Sequence, residues 1–456
     1  MPFFECGLQM TFDLIIRNGN VVTPDGVAAA SLAVTDGKIV EIGNIIGTAK
    51  EEIDATDLHI FPGLIDPHVH FNEPGRTEWE GIATGSAALA AGGGTCFFDM
   101  PLNSSPPTLD GPSFDLKRAA AEASAITDFA LWGGLTPNNL GHLEELADRG
   151  VIGFKAFMSN SGIADFDRAD DDTLRQGMKT AAKLGLIVAV HAESEEMTAR
   201  LTAEIRAKKP APTWEDYLAS RPIEAEVEAI QRAIQIAGET ACRLHIVHVS
   251  SSAGAHAVQA AAKAGVADVT CETCPHYLAL SIHDLEGLGA RAKCAPPLRS
   301  PAEVTKLWDD LAAGFFAFVG SDHSPAPESM KTGEDPFAIW GGIAGVQSTM
   351  SILLSRGFPL PLIAKLTSAG VAERFGITGK GRIAIGFDAD FSLIDLSDCY
   401  QLTTDMLLDR HKVSPYVGRT FHGVLNRTIV RGHTVILDGQ PVRTFRGRFI
   451  KGTAHA

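Results

Sequence analysis

The chain has no apolar run of the roughly 20 residues needed to span a bilayer. Its opening, "MPFFECGLQMTFDL", lacks the basic, apolar and cleavage regions of a secretory signal, and Met10 reads as an alternative start behind a short extension. Positive charge is scarce: 39 Lys and Arg face 55 Asp and Glu, a formal net charge of −16. Such a chain offers no basic footprint, so neither nucleic acid nor a membrane is an expected partner, while a small neutral substrate stays open. Cysteine is sparse and odd in number: Cys6, Cys96, Cys242, Cys271, Cys274, Cys294 and Cys399. That reads as reduced thiols in a cytoplasmic protein. Cys271 and Cys274 form one CxxC, but a zinc ribbon needs a second pair, so packing is their expected role. There is no short internal repeat and no low-complexity tract.

What is present fits one large unit with a smaller module. The chain has 456 residues, 45% of them hydrophobic and 21% charged. Residues 12–43 alternate apolar runs with Asn-Gly and Asp-Gly pairs, the pattern of short antiparallel strands and hairpins. The far end, "DADFSLIDL" and "GVLNRTIVRGHTVILDGQPV", reads the same way. Between them lie eight apolar runs: "FPGLIDPHVH", "GGTCFFDM", "DFALWGGL", "GVIGFKAFM", "GLIVAVHAE", "CRLHIVHVS", "ADVTCETCPHY" and "FFAFVGSDHS". Amphipathic stretches such as residues 222–239 separate them. Eight such units favour an α/β fold, a closed parallel (β/α)8 barrel, over a doubly wound sheet.

Barrel chemistry gathers at the C-terminal ends of the strands. His68 and His70 close the first run, Lys155 lies in the fourth, His191 closes the fifth, His248 the sixth and Asp322 the eighth. Residues two apart on a strand share a face, so His68 and His70 point together, as two metal ligands or as two satisfied polar residues. His245 and His248 are oddly spaced and should face opposite ways, with His248 as the ligand and His245 an outward or a packing residue. A lysine amid "GFKAFM" either snorkels to the surface or is buried and neutral. A neutral amine captures carbon dioxide as a carbamate, whose oxygens can bridge two metals. Asp322 can ligate a metal and accept a proton from bound water. His276 reads as a core or supporting residue on the seventh strand, and His323 as facing away from Asp322.

Taken together, these motifs resemble the amidohydrolase superfamily, in particular its cyclic-amidohydrolase branch of dihydroorotases, hydantoinases and allantoinases. The resemblance runs from "DLIIRNGNVV" through "GRIAIGFDADFSLIDL" and beyond. It implies a metal-bearing TIM-type barrel over residues 61–385, with a small β-sandwich built from residues 1–60 and 386–456. It further implies two divalent ions, zinc first, with manganese, cobalt or iron as alternatives. His68, His70 and Asp322 would hold one ion and His191 and His248 the other, bridged by carboxylated Lys155 and a hydroxide. Asp322 would take the hydroxide's proton and deliver it to the leaving nitrogen. Relatives also imply a homotetramer.

Within the branch, dihydroorotases carry an arginine where this chain has Asn72, and a guanidinium matches a carboxylate that a neutral ring lacks. Hydantoinases carry a tyrosine where this chain has Asn160. Allantoinases are similar at "EPGRTEWEG", "DMPLNSSPPT", "KCAPPLR", "GSDHSPAP" and "WGGIAGVQS". The expected substrate is therefore allantoin, a neutral ureide, opened to allantoate in purine breakdown. Asn72, Asn103, Asn160, Ala295, Ser324 and Gly341 are the expected substrate contacts. Hydantoinase, dihydropyrimidinase or dihydroorotase activity is the nearest alternative; a non-catalytic structural relative is the distant one.

Overall fold

The computed structural model describes residues 11–442 and 445–452; Cys6, Met10 and His455 lie outside them. Each of the eight central runs supplies a barrel strand. In order these are Leu64–Val69, Gly94–Asp99, Asp128–Leu131 (continued by Gly133–Gly134), Phe154–Phe157, Ile187–His191, Arg243–Ile246, Val269–Thr273 and Phe318–Val319. Neighbours pair in parallel. Trp132 interrupts the third strand. The barrel continues around it because the Trp132 N–H donates to the Asp99 carbonyl and the Gly133 N–H to the Gly153 carbonyl, both at 3.0 Å. The ring closes through a bridge between Val69 and His323, with the His70 N–H 2.8 Å from the His323 carbonyl.

The strands are almost wholly buried because both faces are covered, one by the barrel interior and one by helices. The helix Ile223–Thr240 shows the logic. Ala229, Ile230, Ala233, Ile234 and Ala237 recur at helical spacing and are buried. It ends where Ala241 turns left-handed at φ 53°. Glu226 shares the buried face for a different reason. It accepts the Ser250 N–H at 2.7 Å and the Ser251 hydroxyl at 2.5 Å, so it pins the loop leaving the sixth strand just beyond His248.

Both ends of the chain join one nine-stranded sheet. His59–Pro62 pairs antiparallel with Phe391–Gln401, tying the N-terminal strands to the C-terminal ones. Asp36 and Gly37, with φ of 51° and 72°, make a two-residue hairpin turn between Gly26–Thr35 and Lys38–Gly43. Asn18-Gly19 does not turn the chain. It is a bulge inside the single strand Thr11–Thr23, and a side chain at Gly19 would strike Ile60.

The sheet and barrel are locked by buried charge. Lys380, 1% exposed, reaches Asp128 at 2.7 Å, Asp388 at 3.1 Å and Asp390 at 2.6 Å. Lys380→Met is expected to destabilise the fold by about 3–5 kcal/mol, because it strands buried carboxylates without their cation. Denaturant unfolding checks this; a loss under about 1 kcal/mol would count against it.

Candidate metal centre

At the C-terminal mouth of the barrel, His68 Nε2 and His70 Nε2 each lie 3.3 Å from Asp322 Oδ1. Donor atoms of these three residues all fall within 4.8 Å of one another. Each ring is aimed through its other nitrogen. His68 Nδ1 is 2.5 Å from Glu272 Oε1, and His70 Nδ1 is 2.7 Å from the Leu102 carbonyl. Those partners accept hydrogen bonds from the Nδ1–H groups and leave both Nε2 atoms facing Asp322. Burial works to raise the Asp322 carboxyl, but His68, His70 and His248 outweigh it and hold the group well below the usual carboxylate range.

A second group lies beside the first. His191 Nδ1 and His248 Nε2 are 2.9 Å apart, so the two ring nitrogens face one small region. His191 is oriented by Glu193, whose Oε2 sits 2.8 Å from Nε2 and 2.5 Å from an Arg221 nitrogen. The His68 and His248 rings are 5.5 Å apart, which makes the two groups neighbours. Burial lowers the pKa of His70, His191 and His248, favouring the neutral imidazoles that metal ligation requires.

Lys155 lies within electrostatic reach of both groups. Its side chain is fully buried, its Nζ has no hydrogen-bond partner, and the snorkelling alternative is not what the fold adopts. Burial pushes the amine down to about 7, against the pull of Asp322 and Glu272. An uncharged, unsatisfied amine beside neutral imidazoles and a carboxylate suits carboxylation and a pair of divalent ions; a bare ammonium would repel them.

Two histidines depart from expectation. Of the two alternatives for His245 the fold adopts packing and not the outward one, so it does not turn away from His248: its Nδ1 lies 2.8 Å from the Thr270 hydroxyl and its Nε2 3.3 Å from Glu272 Oε2. Alternation fails there because the sixth strand ends at Ile246 and His248 has a left-handed backbone, φ 42°. His276 sits on the short helix Pro275–Ala279, past the seventh strand, and is buried. His323 does turn from the metal group, its Nδ1 accepting the Gly345 N–H at 3.1 Å. All described cysteines are free, and Cys271 and Cys274 are buried in the core.

A cavity of about 690 Å³ opens over the ligands, and Asn103, Asn160, Ala295, Ser324 and Gly341 line it. Asn72 does not line it. Asn72 takes a left-handed backbone, φ 63°, and its amide is spent on the Asn103 amide at 3.2 Å and the Pro325 carbonyl at 3.4 Å. It therefore fixes Asn103 instead of reaching the cavity. The "EPGRTEWEG" stretch supports the same rim: Arg76 donates to the Asn103 carbonyl at 2.5 Å, and Trp79 packs edge-on against cavity-lining Trp340 at 5.0 Å. Gly342, φ 111°, is needed for a tight loop, since a Cβ there would lie 2.2 Å from the Ser324 carbonyl oxygen.

Sequence reading missed Glu272, Glu193 and Arg221. Glu272 is the clearest omission, for it orients His68, bonds His245 and accepts the His248 N–H at 3.4 Å. Burial raises its carboxyl, but His68 and His245 prevail and hold it at about 2. A carboxylate inside the apolar run "VTCET" was the available signal, as was Glu193 two residues after His191.

A closed parallel barrel with imidazoles, a buried lysine and a carboxylate gathered at its C-terminal mouth defines a hydrolase site of the amidohydrolase type. The chain belongs to the amidohydrolase family: residues 59–435 match the model described as "Amidohydrolase family". It is 55% identical over 450 residues to a protein named allantoinase from Rubrobacter xylanophilus, covering 96% of this chain and 98% of that one. It is 43% identical to a protein of the same name from Escherichia coli O1:K1 / APEC, covering 97% and 99%. Among solved structures it resembles the L-hydantoinase (dihydropyrimidinase) from Arthrobacter aurescens, with a TM-score of 0.93 and 32% identity over 96% of this chain and all of that one.

Proposed function

We propose that the protein is a metal-dependent hydrolase that opens the cyclic amide of allantoin to give allantoate, a step of purine catabolism. The observation that carries this reading is whole-length likeness to proteins named allantoinase, at 55% identity in the Rubrobacter case against 32% for the hydantoinase structure. The cavity is compatible with it. The arginine that would pair an anionic substrate is replaced by Asn72, bonded to Asn103, and asparagines at positions 103 and 160 offer amide donors and acceptors to a neutral ureide.

His68, His70 and Asp322 would hold one divalent ion and His191 and His248 a second, with carboxylated Lys155 between them. Zinc is the first choice, and manganese, cobalt or iron suit the same donors. When bound, such ions polarise the ring carbonyl and make water nucleophilic at neutral pH. Asp322, kept ionised by its histidine neighbours, accepts the proton of the attacking water and returns it to the ring nitrogen as the C–N bond breaks. Asn103, Asn160, Ser324 and the backbone at Ala295 and Gly341 orient the ring and its ureido arm. A cytoplasmic homotetramer completes the proposal; among the described residues no helix is long and apolar enough to cross a membrane.

The solved-structure likeness makes hydantoinase activity the second reading. Side-by-side kcat/KM values on allantoin, a 5-substituted hydantoin and dihydroorotate separate them. Allantoin is expected to lead by about tenfold or more. If it ranked last, the substrate assignment would be wrong.

A further inference from the structure

One wall of the cavity carries cationic side chains that bond directly to none of the six candidate metal ligands. Lys293, only 6% exposed, lines the cavity, donates to the Ile339 carbonyl and holds its Nζ 4.8 Å from the Tyr217 ring centroid. Arg221 lines the same cavity with its guanidinium carbon 5.9 Å from that ring. Lys331 donates to the Gly342 carbonyl. The three repel one another in sequence. Burial and then Arg221 push Lys293 down to about 8, and burial and then Lys293 push Lys331 down to about 7.

Nearby carboxylates are already engaged. Glu193 holds His191 and Arg221, Asp335 pairs with Arg206 at 2.9 Å, and Glu195 accepts the Asn160 N–H at 2.8 Å. Among the described residues, neither lysine has a carboxylate within ion-pair distance; each ammonium has only a carbonyl partner. Arg221 already has Glu193 as its anion; the two lysines have none, and desolvated, mutually repelling ammonium groups are costly unless an anion joins them. The proposed reaction makes such an anion. Water adds its oxygen to the ring carbonyl, the C–N bond breaks, the nitrogen takes a proton, and a neutral ring becomes a carboxylate at neutral pH.

We propose that Lys293, with Arg221 and Lys331 adding positive potential, forms a subsite for the carboxylate of the ring-opened ureido acid as it leaves the metal centre. This rests on the hydrolysis proposed above. The wall then acts after the chemistry, drawing the product carboxylate off the metals.

The test is product inhibition of allantoin hydrolysis by added allantoate, in metal-loaded protein, for wild type, Lys293→Met, Lys293→Arg and Lys331→Met. In Lys293→Met the ratio of product Ki to substrate KM is expected to rise about tenfold or more, as loss of a charge-assisted contact to a carboxylate implies. Lys293→Arg, which keeps the charge, should stay within about threefold, and Lys331→Met should shift the ratio in the same direction as Lys293→Met by a smaller factor. Should Lys293→Met fail to fold, Lys331→Met still decides. An unchanged ratio in a folded variant that turns over allantoin overturns the subsite. Absence of allantoin turnover in wild type instead overturns the function, and direct calorimetric titration of allantoate into wild type and Lys293→Met still tests the subsite.

Discussion

Asp322→Asn is expected to lower kcat by about 10³-fold with little change in KM. Asparagine keeps the shape of the side chain and one oxygen, so the contacts that place His68 and His70 around position 322 survive in outline. What disappears is the negative charge and the ability to take and return a proton. Both losses act on the reaction more than on binding of a neutral ring. Metal content measured on the same preparation separates a chemical defect from an empty site. A kcat within about threefold of wild type, with metal retained, would remove Asp322 from the proton transfer.

The second large effect concerns Lys155. Lys155→Met fills the same apolar space without a nitrogen, so the fold should be preserved or slightly stabilised, a buried unpaired amine having been removed. Bound metal should fall by about half or more and activity to near background, because no carbamate remains to join two ions. Wild-type protein stripped of metal should also reload less readily below about pH 7. The sign follows from burial: the amine is lowered to about 7, so it is neutral and able to capture carbon dioxide above that pH and is protonated below it. Full activity with unchanged metal in the variant would contradict the carbamate model.

Much of this site could be read from one dimension because a parallel barrel is regular. Strand runs are apolar on both faces, and a His, Lys or Asp late in such a run has few places to go except the mouth. That is why His68, His70 and Asp322 fall together and His191 meets His248; that these residues hold metal together with Lys155 is the proposal. Side-chain alternation failed where strands stop. The opposite-face reading of His245 and His248 failed because parity was carried past Ile246 into a left-handed residue, while the packing alternative for His245 held. Glu272 and Glu193 were missed for another reason. Each gains its role from a partner on a different strand or loop, His68 lying 204 residues from Glu272 in sequence, and no local pattern encodes that pairing. Asn72 was legible as a polarity change but not as a support for Asn103, since the contact depends on a loop 31 residues away.

The most direct test of the central claim is allantoin turnover by the purified protein before metal removal, after it, and after return of zinc or manganese with bicarbonate. The account predicts allantoate formation that is abolished when both ions are stripped and restored when metal returns. Undiminished hydrolysis by metal-free protein, or no hydrolysis by fully loaded protein, would contradict it.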